Sequence, residues 1–106
     1  MPFTLGFPEL ATKYKVHGSE FGLVSEAEYF ALADAFMGGP KGSPTMERTR
    51  ADGALVRYNE ATEEFGILSG GYIRTYFKPD PAEHSFVNNR AYFLWVAGGV
   101  GRGGRG

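Results

Sequence analysis

The stretch at residues 54–78, ALVRYNEATEEFGILSGGYIRTYFK, limits what this chain can fold into more than any other. Three short runs of apolar, aromatic and β-branched residues are separated by two turn signals. Asn59-Glu60-Ala61-Thr62-Glu63-Glu64 parts the first run from the second. Ser69-Gly70-Gly71 parts the second from the third, with glycines that accept positive φ. Pro79 ends the last run because it cannot donate to a ladder. The pattern predicts a small three-stranded antiparallel meander. The rest of the chain has to cover that sheet or complete a site at its rim.

Length and composition narrow the setting. A chain of 106 residues suits one domain, placed at residues 1–99, with a flexible Gly/Arg tail, VGRGGRG, at residues 100–106. The hydrophobic fraction of 42% is that of a globular protein with a core. The absence of cysteine removes disulfides and thiolate metal sites. No apolar run reaches membrane-spanning length, and the start, MPFTLGFPEL, lacks the basic and apolar regions of a signal peptide. An exported protein of this kind would travel within something larger. The formal charge of −1 argues against broad electrostatic capture of nucleic acid and leaves room for a local basic patch.

Before the meander, residues 1–10 read as an irregular lead-in and residues 11–16 as a short helix. HGSEFG follows as a Gly-punctuated loop. Ser25 and Glu28 fit a capping box, and Tyr29, Leu32, Ala33 and Phe36 recur at helical spacing until Gly38-Gly39-Pro40. That apolar stripe needs the inner face of the sheet. Residues 41–53 read as a polar surface connection with a short ordered piece near residues 46–50. After the meander, Pro79-Asp80-Pro81 delivers His84 to a defined place. Residues 89–97 fit either a last helix, capped by Asn88 or Asn89, or a further strand, and periodicity does not separate the two.

Candidate chemistry gathers in the last run. Strict alternation puts Tyr72, Arg74, Tyr76 and Lys78 on one face, and Ile73, Thr75 and Phe77 on the other. Two cations among aromatic rings suit a phosphate backbone with unstacked bases, and equally suit an exposed sheet face carrying solubilising charge. Arg57 on the first run is a further candidate cation. His17 and His84 are the chain's two histidines, and two imidazoles suffice to divide base and acid duties near neutral pH. Ordinary loop histidines are the commoner occurrence. No phosphate-cradling loop, metal-ligand spacing or serine elbow is present, and no cofactor is called for.

Taken together, HGSEFG, SEAEYFALADAF, ADGALVRYNEATEEFGIL, GYIRTYFKPDPAEH and NNRAYF resemble a family of C-terminal toxin domains of bacterial polymorphic toxins, including contact-dependent inhibition and Rhs-type proteins. The resemblance runs from about His17 to Phe93, and GYIRTYFKPDPAEH is its most distinctive part. The family is similar to the barnase, EndoU, colicin-nuclease and RelE group of ribonucleases. It implies an α+β fold with N-terminal helices packed on an antiparallel sheet, and metal-independent RNA cleavage. It also implies a cognate immunity protein, a monomer or toxin–immunity heterodimer with no membrane role, and delivery within a larger effector that acts in the target-cell cytoplasm.

By resemblance, His17, Arg74, Thr75, Lys78 and His84 fall in the family's motifs. His17, Arg74, Thr75 and His84 are the expected catalytic residues, and Lys78, with Tyr76, Tyr72 and Arg57 from the reading of the strands, is expected to bind substrate. One histidine would take the ribose 2′-OH proton and the other would protonate the departing 5′-oxygen. The near-neutral charge favours one structured RNA, tRNA foremost. Alternation sends Thr75 away from Arg74, whereas related nucleases put a strand hydroxyl in the site; a bulge or strong twist near Gly70-Gly71 reconciles the two, unless Thr75 is structural. The family tends to close near its YF motif, and here an apolar segment and the tail follow. A non-catalytic RNA- or protein-binding module of the same fold, and a metal-dependent deoxyribonuclease toxin, are the competing expectations.

Overall fold

Two helices precede the sheet in the computed structural model, which describes residues 3–22, 25–42 and 44–98. Helix α1 (Leu10–His17) runs into one 3₁₀ turn, Gly18–Phe21, and α2 (Glu26–Gly38) follows. Ser25 caps α2 as expected, its Oγ accepting the Glu28 N–H at 3.1 Å. The stripe that meets the sheet is Tyr29, Ala33 and Met37, each at most 1% exposed. Leu32, expected in that stripe, lies beside it and is 41% exposed.

The sheet has four strands, one more than expected. β1 (Thr45–Thr49), β2 (Leu55–Asn59), β3 (Phe65–Ser69) and β4 (Tyr72–Phe77) pair antiparallel in chain order. β1 takes up the short ordered piece expected near residues 46–50, within the connection otherwise read as polar surface. As an outer strand it needs little apolar alternation, and its register against β2 sets Glu47 directly opposite Arg57. Gly70 and Gly71 take positive φ in the β3–β4 turn, as their position requires.

Residues 89–97 resolve as helix. α3 (Pro81–His84) is capped by Asp80, and α4 (Asn89–Gly98) begins with the Asn88 side chain accepting the Ala91 N–H at 2.8 Å. The architecture is therefore α+β with helices on both faces. α1 and α2 cover one face, where Phe7, Tyr29, Ala33, Met37, Ile73 and Tyr76 form a core. α4 covers the other over β1 and β2, where Val56, Tyr58, Phe65, Phe93 and Ala97 form a second. The tail expected at residues 100–106 lies outside the described residues.

Strict alternation fails along β4, for a physical reason. Thr75 pairs with Ile67 and Ile73 with Leu68, so Arg74 is an extra residue on the β4 side, a bulge. The bulge sets Ile73 and Tyr76 on the α2 face together, and leaves Thr75 and Phe77 on the α4 face. The bulge sits at Arg74 and not at the glycine turn where one was expected; it parts Thr75 from Ile73 but leaves it on the face of Phe77.

Candidate active site

The HGSEFG segment builds its geometry residue by residue. Gly18 has to be glycine because a Cβ there would stand 2.7 Å from the Tyr14 ring. Its absence lets the chain turn at once from α1 into the 3₁₀ turn, which meets the C-terminal end of β4 through Glu20 and Phe21. His17, the last residue of α1, stacks on Phe77 with centroids 5.0 Å apart. Glu20, three residues on, joins its Oε2 to His17 Nδ1 at 2.7 Å, and its Oε1 accepts the Lys78 backbone N–H at 2.8 Å. Phe21 stacks on Tyr76 at 4.6 Å and carries the Lys78 ammonium 5.1 Å above its ring. Gly22 closes the turn at φ 67°.

A carboxylate accepts only, so His17 Nδ1 carries a proton and Nε2 presents its lone pair when the ring is neutral. Among the described residues nothing bonds Nε2, and the side chain is 21% exposed. Lys78 has no carboxylate partner among the described residues. Thr75 lies two residues before Phe77 on the same face, about 7 Å along the strand, and its hydroxyl also has no partner among the described residues. The imidazole of His17 and the hydroxyl of Thr75 thus share the Phe77 face of the strand, while the Lys78 ammonium lies over Phe21 on the Tyr76 side.

His84 is held differently. Its Nδ1 accepts the Phe86 N–H at 3.1 Å, so Nε2 carries the proton and donates to Asn89 Oδ1 at 2.8 Å. Asn89, only 7% exposed, donates in turn to Pro79 O and to Glu63, which also accepts the Tyr58 hydroxyl. The His84 ring stacks on Tyr92 at 4.4 Å, and burial pushes the Tyr92 phenol up. His17 and His84 stand at opposite ends of the row His17–Phe77–Tyr92–His84. The expected pair of imidazoles is not brought face to face: two rings stand between them, and both nitrogens of His84 are engaged.

The other expected residues divide. Tyr72 and Arg74 are together at the far end of β4, with the guanidinium 5.5 Å from the Tyr72 ring and bonded to Ser69 O. They do not join Lys78 on a common patch. Tyr76 is completely buried, donates its hydroxyl to Glu64, and is pushed up mainly by burial. It fills the core over Gly66 and offers no surface to a substrate. Arg57 belongs to the fold: it donates to Phe36 O and Gly39 O, both at 2.8 Å, and to Glu47 at 2.6 Å. It satisfies carbonyls that the end of α2 leaves open.

Three contributors escaped the sequence reading. Glu20 and Phe77 complete the surroundings of His17, and Asn89 locks His84. A carboxylate at i+3 from His17 was the visible signal for Glu20; Phe77 and Asn89 needed the bulge and the α4 docking. Among the described residues no three His, Asp or Glu side chains gather as a metal site, and no helix is long and apolar enough to cross a membrane. No family model matches the chain, and no curated protein matches it.

Proposed function

We propose that this chain is a small antibacterial ribonuclease domain of the polymorphic-toxin kind, cutting RNA without a metal ion. The observation that carries the reading is His17, with Nδ1 held by Glu20, whose other oxygen accepts the Lys78 backbone N–H, and with Nε2 bonded by nothing among the described residues. His17 Nε2 takes the proton of a ribose 2′-OH, that oxygen attacks the adjacent phosphorus, and the 5′-oxygen leaves with a proton from solvent. The product end is a 2′,3′-cyclic phosphate. The Lys78 ammonium and the Thr75 hydroxyl stabilise charge on the phosphoryl oxygens. Arg74 and Tyr72, about 13 Å back along the strand, hold a neighbouring nucleotide. His84 positions Tyr92 and takes no proton in turnover. The α+β architecture, with N-terminal helices on an antiparallel sheet, is the general class that the ribonuclease reading calls for.

Because the nucleophile belongs to the substrate, DNA is not cut. The net charge of −1 favours a structured RNA such as tRNA over indiscriminate cleavage. An immunity protein would cover the His17 end of β4 with an acidic surface. The test is incubation with total bacterial RNA and with plasmid DNA, each with and without EDTA. Loss of one RNA class despite EDTA, absent in His17→Ala and retained in part by His84→Ala, is the expected result. Equal cleavage by wild type and His17→Ala, or DNA loss that needs a metal, overturns it. A non-catalytic RNA-binding module is the second reading, favoured by the full engagement of His84. Under it no RNA is cut, and His17→Ala binds RNA as well as wild type.

A further inference from the structure

We infer that Glu20 is the positioning residue of this site, setting which nitrogen of His17 carries the proton and fixing the ring to the strand that bears Thr75 and Lys78. This rests on the ribonuclease reading only for its consequence in turnover; the tautomer itself follows from geometry. The Glu20 carboxylate faces two donors, His17 Nδ1–H at 2.7 Å and the Lys78 backbone N–H at 2.8 Å, one on each oxygen. Both oxygens can only accept. The arrangement therefore holds His17 with Nδ1 protonated and Nε2 bare. It also ties the 3₁₀ turn after α1 to Lys78, the residue that follows β4, 58 positions further along the chain. Stacking on Phe77 fixes the plane of the ring, and Glu20 fixes its rotation within that plane.

The substitution Glu20→Gln tests this sharply. A glutamine offers one acceptor where two donors need one. With its carbonyl kept on the Lys78 N–H, its NH₂ group faces His17 Nδ1, which must then accept, and the proton moves to Nε2. A ring protonated at Nε2 cannot take the 2′-OH proton. Glu20→Ala removes the acceptor altogether and releases the ring to the Nε2–H form that an imidazole prefers in water.

The experiment is ring ¹⁵N NMR of the whole protein at about pH 9, where imidazoles are neutral. Wild type is expected to show His17 protonated at Nδ1, with Glu20→Ala and Glu20→Gln both protonated mainly at Nε2. His84, held by Phe86 N–H and Asn89, serves as an internal reference and stays Nε2–H in all three. In RNA cleavage, kcat falls about 10²- to 10⁴-fold in Glu20→Gln while KM is unchanged. Persistence of the Nδ1–H form in Glu20→Ala overturns the inference whatever the cleavage rate. The NMR measurement involves no RNA, so a wild-type protein that cuts nothing would sink the ribonuclease reading and leave this one standing.

Discussion

Asp34 is one of the few charged groups in the interior, at 5% exposure, and it binds the incoming chain. Its carboxylate accepts Phe3 N–H at 2.7 Å, Thr4 N–H at 2.8 Å and the Thr4 hydroxyl at 2.6 Å. Burial pushes the carboxyl up, but the bonds from Thr4 and Phe3 outweigh it and hold it below the usual carboxylate range. A depressed folded-state pKa gives stability that is present above the unfolded value of about 3.9 and lost as pH falls through the folded one. Melting curves should therefore show wild type losing stability on acidification below about pH 4. Asp34→Asn, already weaker at neutral pH, should lack that part of the decline. Arg57 makes the opposite kind of prediction. Two of its three bonds hold the end of α2 and the third pairs it with Glu47 on β1, so Arg57→Ala should lower unfolding free energy by about 1.5–3 kcal/mol in denaturant titration. Cleavage per folded molecule should stay as in wild type, whereas loss of a substrate contact would raise KM. Nothing in the local sequence around Arg57 distinguishes these roles, because both partners on α2 arrive from 18 and 21 residues away.

Among the elements, α2 and the two turns of the meander were legible because their signals are local: a capping serine, a 3.6-residue stripe, an Asn-led turn, a Gly-Gly pair. β1 was legible only as a short ordered piece near residues 46–50 and not as a strand, since an outer strand paired on one side carries polar residues on most positions. The bulge at Arg74 was not legible in place either. It has no glycine or proline to mark it, and is set by which side chains the two cores accept, with Ile73 and Tyr76 in one and Phe77 against the other. Beside it, β3 has its own device. Gly66 sits opposite Tyr76, and a Cβ there would meet Met37 Sδ at 2.5 Å and Thr75 O at 3.1 Å. The missing side chain is what lets α2 settle on the sheet. Gly66→Ala should cost about 1–3 kcal/mol by chemical denaturation, with part of it recovered when Met37 is shortened as well.

For the molecule as a whole, the balance of 11 basic and 12 acidic side chains means that RNA affinity has to come from a few placed cations. Lys78→Ala should weaken binding by a similar factor for all RNA sequences and lower the slope of log K against log salt by about one. An unchanged slope would remove Lys78 from the phosphate contacts. The candidate site drew on parts far apart in the chain, with His17 and Glu20 in one half and Thr75, Phe77 and Lys78 in the other. Only the residue types and the HGSEFG spacing announced it in advance; the meeting of the two halves depends on the edge of β4.

The strand order that creates that edge also governs how the chain finds its shape. Each strand lies beside the strand that follows it in sequence, so the sheet assembles by successive short hairpins. Hairpin closure takes on the order of microseconds, and sheets built from neighbouring segments escape the long searches that slow non-local topologies. The docking of Phe3 and Thr4 on Asp34, across about thirty residues, closes a longer loop than any of these hairpins. The Glu20–Lys78 bond closes across 58 positions, so the His17–Glu20–Lys78 junction carries a larger loop-closure cost than the sheet it rests on.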